Sequence, residues 1–344
     1  MASGETSSGT LENPSPSTDG VSAERLLPNA EDGQGTDAGR PPPVIVLFGP
    51  TAVGKSDILI SLFDQRFEII NADSLQVFRY MDVGTAKPSS ESRSQLPHHL
   101  VDVADPSEQF NAGWFVKAAE ALVPSIRGRG RFPVISGGTA FYITSFLYGL
   151  PESPPVDPAI REKYRGLELV SGPSGLYGML RDRDPEAAAR IQPNDRYRIM
   201  RALEVHESTG RSLFSFRWPR VPRKDFRFLL IGLEREREEL YRRIGERVDR
   251  MFNDGLLREV KALLAMGYGQ GDPGMRGIGY RELLQMRAGC QTVADVRELI
   301  ARTTRRYAKR QITFFRAVPG VHWMKPDRPL EVREKIEAFI AAST

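Results

Sequence analysis

Val44-Ile-Val-Leu-Phe48, followed at once by Gly49-Pro50-Thr51-Ala52-Val53-Gly54-Lys55-Ser56, decides how the chain reads. The first five residues are a continuous apolar run, the composition of a strand buried on both faces of a parallel sheet. The next eight satisfy the pattern G-x-x-x-x-G-K-[ST] in full, and Asp57 to Asp64 then reads as helix. Strand, loop and helix in that order are the context in which this pattern cradles phosphate. The glycines let the backbone curl until successive N–H groups and the helix N-terminus face one anion. Lys55 adds a positive charge, and the Ser56 hydroxyl can hold Mg2+. The loop implies phosphate or pyrophosphate and does not specify ATP.

Working outward, Phe67 to Ile70 reads as a second short strand, Phe132 to Ser136 as a third, and the apolar run Phe226 to Leu233 as a return to the same sheet. Strands alternating with helices predict an α/β fold: a phosphate-loop, NTPase-like parallel sheet flanked by helices, with right-handed crossovers. Pro151, Pro154, Pro155 and Pro158 punctuate a linker, and residues 159–217 then read as short arginine-rich helices without a strand pattern. That stretch is expected to be an inserted, all-helical subdomain. Helical periodicity dominates after the fourth strand, over Glu236 to Asn253, Leu256 to Met266, Tyr280 to Arg287 and Val293 to Phe315. The expected division is a disordered acidic tail over 1–43, the first part of the core over 44–150, the insertion over 151–224, the return to the core with basic helices over 225–330, and a closing helix over 331–344.

Apolar residues make up 40% and charged residues 27% of the 344, which predicts a globular protein. No apolar run approaches the roughly 18 residues that a membrane span needs. The N-terminus lacks the basic-then-apolar layout of a signal peptide. A lone cysteine, Cys290, cannot form an internal disulfide, and no cysteine/histidine cluster offers a zinc site. A cytoplasmic monomer is the expectation. The net charge of +4 is uneven: residues 1–43 carry seven acidic side chains against Arg25 and Arg40. The rest of the chain is therefore more basic than the total, which points to a polyanionic partner. The helix beginning at Val293 is the most basic element, with Arg297, Arg302, Arg305, Arg306, Lys309, Arg310 and Arg316.

Asn71-Ala-Asp73-Ser74 follows the second strand, at the carboxyl edge where open α/β sheets place their ligands. Asp73 is open to three roles from position alone: a Mg2+ ligand, a turn or helix cap, or a general base. Gly137-Gly138-Thr139 closes the third strand at the same edge. That strand lacks the terminal acid common in ATP-hydrolysing machines, which favours transfer over hydrolysis. Asp82-Val-Gly-Thr-Ala-Lys87 is a polar loop with a cation, and His98-His99 reads as a surface or capping pair.

In order along the chain, Gly49 to Ser56, Ala72-Asp-Ser-Leu-Gln-Val-Phe78, Met81-Asp-Val-Gly-Thr-Ala-Lys-Pro88, Pro97-His-His-Leu-Val-Asp102, Gly137-Gly-Thr139, Pro193-Asn-Asp195, Gly277-Ile-Gly-Tyr-Arg-Glu282 and Tyr307-Ala-Lys-Arg-Gln-Ile-Thr313 resemble the bacterial tRNA dimethylallyltransferases. The likeness runs over roughly residues 44–325. It implies transfer of a dimethylallyl group from dimethylallyl pyrophosphate to N6 of adenosine 37, beside the anticodon in the tRNA stem-loop. It also implies that Gly49 to Ser56 hold the pyrophosphate with Mg2+, that Asp73 accepts the amine proton, that Thr139 lies beside the reacting centre and that Arg247 binds pyrophosphate. RNA contacts implied by the same likeness are Asp73, Ser74, Leu75 and Gln76; Arg161; Tyr197, Arg198, Ile199, Met200 and Arg201; Arg276, Gly277, Ile278, Gly279, Tyr280 and Arg281; and Lys309, Arg310, Gln311, Ile312, Thr313, Phe314, Phe315 and Arg316. Trp114 and Phe314 depart from the family's usual residues, and the zinc finger of eukaryotic members is missing. A small-molecule kinase, an isopentenyltransferase acting on free adenine nucleotides and an RNA-binding nucleotide switch are the competing readings.

Overall fold

The computed structural model describes residues 40–153, 157–286 and 291–343. Most of the acidic segment 1–43 lies outside the described residues, as do Pro154, Pro155 and Cys290. Six strands form one parallel sheet: β1 Pro43–Phe48, β2 Phe67–Asn71, β3 His98–His99, β4 Phe132–Gly137, β5 Arg227–Leu233 and β6 His322–Met324. Their order is β3-β2-β4-β1-β5-β6. The four apolar runs of the sequence are the four central strands, and β1, β2 and β4 are buried at every position, as strands covered on both faces must be.

The two edge strands escape sequence reading because two and three residues are too few to show a pattern. His98 and His99, expected as surface or capping residues, instead pair in register with Ile69 and Ile70 of β2. His99 Nε2 lies 2.6 Å from Glu68 Oε2, and Arg129 and Arg131 reach the same carboxylate at 2.8 and 3.0 Å. Burial alone would push Glu68 up, but His99 and Arg129 outweigh it and hold the carboxyl at about 2.

The chain divides into two compact units, and Ser145–Arg223 is one of them. In the other, the sheet packs against helices Lys55–Leu62, Ala112–Gly128, Arg237–Asp254, Val293–Arg316 and Pro329–Ala341. Ile45, Leu47, Ile69, Val134 and Ile231 meet Leu240, Ile244, Ala308 and Ile336 in its core. The strand registers set the level of the carboxyl edge: Phe48 pairs with Gly137, and Asn71 with Ser136. Three loops, those after β1, β2 and β4, therefore leave the sheet side by side.

Ser145–Arg223 carries helices Pro158–Arg183, Pro185–Arg190 and Arg196–Thr209. Each start is encoded locally. The Asp157 side chain accepts from the Ala159 N–H ahead of Pro158, Asp184 accepts from Ala187 ahead of Pro185, and Asp195 accepts from Arg198. Tyr164, Leu176, Leu180, Ile199 and Leu203 form its own small core.

Candidate active site

The loops after β1, β2 and β4 line a cleft of about 600 Å³, together with the helices Arg237–Asp254 and Val293–Arg316. Open parallel sheets bind ligands at this edge, so the topology and the motif agree on the location. Gly137 and Gly138 are required by close approach: a Cβ on Gly137 would lie 2.1 Å from the Ala72 carbonyl oxygen, and one on Gly138 2.6 Å from Gln311 Nε2.

Distant side chains hold the phosphate-binding loop in shape. Lys55 Nζ folds back to donate to the Gly49 and Pro50 carbonyls at 2.9 and 3.0 Å. Arg235 Nε donates to Val53 O at 2.8 Å, and Arg243 Nε to Ala52 O at 3.0 Å. The Thr51 N–H donates to Gln311 Oε1 at 2.9 Å. Ser56 is exposed beside Asp57 at the start of helix Lys55–Leu62.

Asp73 lines the cleft. Its Oδ1 accepts from the Leu75 N–H at 2.9 Å and the Gln76 N–H at 3.4 Å, which fixes the side chain. Thr139 Oγ1 accepts from the Ser74 N–H at 2.9 Å and lies 3.2 Å from Ser74 Oγ, tying the loop after β4 to the loop after β2. Arg247 Nη2 donates to Thr85 O at 3.1 Å, and Gln76 Nε2 donates to the same carbonyl at 3.2 Å. Glu259 orders that polar loop by accepting from the Asp82, Val83 and Gly84 N–H groups at 2.7, 2.7 and 2.9 Å and from the Tyr280 hydroxyl at 2.6 Å. Lys87, the cation of the loop, pairs with Asp82 and Asp102, both at 2.6 Å.

The electrostatics gather these groups into one site. Burial pulls the Lys55 ammonium down to about 8; the Asp73 carboxylate opposes the shift and the Arg247 guanidinium assists it. Burial also pulls Arg247 below its ordinary value, against the attraction of Asp73. Tyr307 is pushed up to about 12 by burial and by the Asp73 charge, while hydrogen bonds with Thr139 and Gln311 work the other way. Two cations and a phenol thus share the field of one carboxylate. Such a cleft can hold a diphosphate beside a group that accepts a proton.

Of the residues expected from sequence, Asp73, Thr139, Arg247 and the loop Gly49 to Ser56 come together here. Ser74, Leu75, Gln76, Arg276, Gly277, Ile278, Arg310 and Gln311 line the same cleft. Arg243, Arg235 and Tyr307 were not singled out. Arg243 precedes Arg247 by four, and Tyr307 precedes Gln311 by four, the spacing that puts two side chains on one helix face and the signal that could have found them.

The RNA-contact expectations separate by burial. Lys309, Arg310, Thr313, Phe314 and Arg316 are exposed on helix Val293–Arg316, whereas Gln311 and Phe315 are buried and Ile312 packs against the core. Arg276 and Arg281 are exposed, while Gly277, Gly279 and Tyr280 are buried. In Ser145–Arg223, Tyr197 and Arg198 are exposed, Met200 is partly covered and Ile199 is in the core. Arg161 is committed to Glu204, donating to its two oxygens at 2.7 and 3.2 Å, and Arg201 lies 3.7 Å from the same carboxylate. Of the buried residues, Gly277 and Gln311 still line the cleft.

A model of the IPP transferase family matches residues 76–318. The chain belongs to the IPP transferase family. It is 45% identical over 287 residues to tRNA dimethylallyltransferase 1 of Citrifermentans bemidjiense, covering 82% of this chain and 92% of that protein. Among solved structures it resembles the full-length tRNA isopentenylpyrophosphate transferase from Bacillus halodurans, at 34% identity and a TM-score of 0.62 over 88% of this chain and 97% of that one. A eukaryotic dimethylallyltransferase acting on tRNA is also similar, with 27% identity and a TM-score of 0.66 over 88% of this chain and 80% of that chain. Family membership accounts for the ordered motifs, including those that lie far from the phosphate-binding loop.

Proposed function

We propose that this IPP transferase moves the dimethylallyl group of dimethylallyl pyrophosphate to N6 of adenosine 37 in the tRNA anticodon stem-loop, releasing diphosphate. The observation that carries the reading is the Asp73 carboxylate, whose charge acts on two buried cations, Lys55 and Arg247, in a cleft walled by the phosphate-binding loop. The N6 nitrogen attacks the allylic carbon as the carbon–oxygen bond to diphosphate breaks, and the amine proton passes to Asp73. An exocyclic amine is a weak nucleophile, so a carboxylate that receives its proton as charge develops speeds the step. Lys55, Arg247 and the N–H groups of the loop stabilise the negative charge that builds on the leaving oxygen.

Mg2+ suits the donor set. Among the described residues no group of three or more His, Cys, Asp or Glu is arranged to hold a metal. Ser56 stands at the loop, so diphosphate oxygens and water would complete an oxygen shell. When bound, the ion would add positive charge beside the leaving group. The adenosine must leave its stack to reach the cleft, and the exposed cations of helix Val293–Arg316 supply contacts for the RNA backbone. Ser145–Arg223, with exposed Tyr197 and Arg198, is the candidate second RNA-contacting unit. Among the described residues no helix is long and apolar enough to cross a membrane. A tRNA acceptor sets the reaction in the cytoplasm.

Mass spectrometry of tRNA nucleosides after incubation with the protein and dimethylallyl pyrophosphate tests the reading. A dimethylallyl adenosine product is expected from an anticodon stem-loop and not from AMP. An ATP-dependent phosphorylated product would eliminate it in favour of a kinase, and a preference for AMP would eliminate the tRNA acceptor.

A further inference from the structure

Gln311 joins two ligand loops directly, as Thr139 joins another pair. It is 4% exposed. Its Oε1 accepts from the Thr51 N–H of the phosphate-binding loop at 2.9 Å, and its Nε2 donates to Gly138 O after β4 at 2.6 Å. Both amide functions are thereby used, in the only orientation that satisfies a donor on one loop and an acceptor on the other. The placement follows from the helix. Phe315, one turn later, packs its ring 4.6 Å from that of Phe48, the last residue of β1 before Gly49. Tyr307, one turn earlier, meets Thr139. Residues four apart share a helix face, so the 307, 311 and 315 positions run along the edge where β1 and β4 end.

We propose that Gln311 is a positioning residue, one that fixes the diphosphate-holding loop to the Gly137–Thr139 loop and so sets the separation between the departing diphosphate and the attacking amine. The inference rests on the transferase reading above. Thr139 binds Ser74 next to Asp73, so a displacement at Gly138 is carried to the carboxylate. The phosphate-binding loop keeps its anion-facing N–H groups and its Lys55 without Gln311, because Arg235 and Arg243 still hold the Val53 and Ala52 carbonyls. Diphosphate affinity is therefore insulated from Gln311, whereas the reacting geometry is not.

Two variants test this against wild type at saturating tRNA. Gln311→Met keeps side-chain length and removes both hydrogen bonds; kcat is expected to fall roughly 100-fold, the cost of a misplacement near 1 Å, with the KM for dimethylallyl pyrophosphate and the Kd for inorganic diphosphate within about threefold. Gln311→Glu places a carboxyl between the Thr51 N–H and the Gly138 carbonyl. Ionised, it opposes the carbonyl oxygen; protonated, it donates to Gly138 and accepts from Thr51 as the amide does. Its kcat relative to wild type is expected to rise as pH falls from 8 to 6. The inference is overturned by an unchanged kcat with only a raised KM, by a ratio for Gln311→Glu that does not vary with pH, or by losses in both variants that track unfolded protein. A wild-type chain that forms no prenylated nucleoside overturns the transferase reading itself, which is a different result from an active wild type with indifferent variants.

Discussion

Two arginine-rich segments of this chain look alike in sequence and differ in what their charges do. In Ser145–Arg223, every arginine from Arg161 to Arg201 lies within 4.0 Å of a carboxylate: Arg161 and Arg201 at Glu204, Arg183 at Glu207, Arg196 at Glu168, and Arg165, Arg181, Arg190 and Arg198 at acids near them in sequence. Along helix Val293–Arg316, by contrast, no carboxylate among the described residues pairs with Arg302, Arg305, Arg306, Lys309 or Arg310, although Arg297 and Arg316 at the ends do pair, with Asp249 and Glu234. Paired cations have much of their charge offset by the acids beside them. Unpaired ones leave a positive field for a polyanion. The count of arginines thus says less about RNA binding than the location of the acids.

The largest effect separates chemistry from both basic segments. Asp73→Ala removes no cation from either, and its kcat for prenyl transfer is expected to fall roughly 10²- to 10⁴-fold, the usual worth of a general base. Its affinity for the anticodon stem-loop, measured by filter binding, should stay within a few fold of wild type. A comparable loss of RNA affinity would mean that Asp73 belongs to the gripping surface and that the division between reacting loops and basic face is wrong.

Next comes the unpaired face itself. The double variant Lys309→Glu with Arg310→Glu is expected to weaken stem-loop binding roughly tenfold or more and to flatten the dependence of log affinity on log salt by about two, one for each lost phosphate contact. Diphosphate binding should fall less, since only Arg310 of the two lines the cleft. Equal losses from Arg165→Glu with Arg190→Glu, in the paired segment, would break the comparison.

Lys55 meets carbonyls in place of acids, and burial brings its charge within reach of ordinary pH. Burial places its folded value at about 8. The charged form is therefore complete below pH 7 and lost as pH rises through about 8, and with it the attraction for diphosphate. In calorimetric titrations, wild-type affinity for diphosphate divided by that of Lys55→Arg should be flat below pH 7. Above pH 8 it should decline by up to about tenfold per unit, since one linked proton gives that limiting slope. A flat ratio to pH 9.5 would show that Lys55 holds its proton throughout.

The legible part of this molecule is the part written locally. Val44 to Phe48, Phe67 to Ile70, Phe132 to Ser136 and Phe226 to Leu233 show their burial in their own composition, and motif position at strand ends was enough to bring Asp73, Thr139 and the phosphate-binding loop into one cleft. What stayed hidden were partnerships across the chain. The Thr51 partner of Gln311 is 260 residues away. The tie from Arg243 to Ala52 spans 191. Gln311, grouped in sequence with the RNA-facing residues around it, points inward because Phe315 and Ala308 on the same face are buried. β3 and β6 were missed for another reason: they take their extended form from the strand beside them, since so few residues carry no preference of their own.

Arg161 is where the comparison is most open to a small, decisive test. Its likeness to an RNA-contacting position comes from sequence, while its guanidinium is bidentate on Glu204, a carboxylate 1% exposed. Removing one partner of a buried pair leaves the other charge without compensation, which costs about 3 kcal/mol or more. Arg201, at 3.7 Å, offsets part of that. Arg161→Ala should therefore lower the thermal midpoint by several degrees and raise the urea sensitivity of Ser145–Arg223. Stem-loop affinity, measured well below that midpoint, should change by less than about twofold, because the charge removed was already neutralised by Glu204. The double variant Arg161→Met with Glu204→Leu removes both charges at similar volume and should recover much of the stability. Were stem-loop affinity to fall as far as in the Lys309 and Arg310 variant while stability held, Arg161 would have to leave Glu204 for phosphate on binding, and pairing in the free protein would cease to mark a cation as structural.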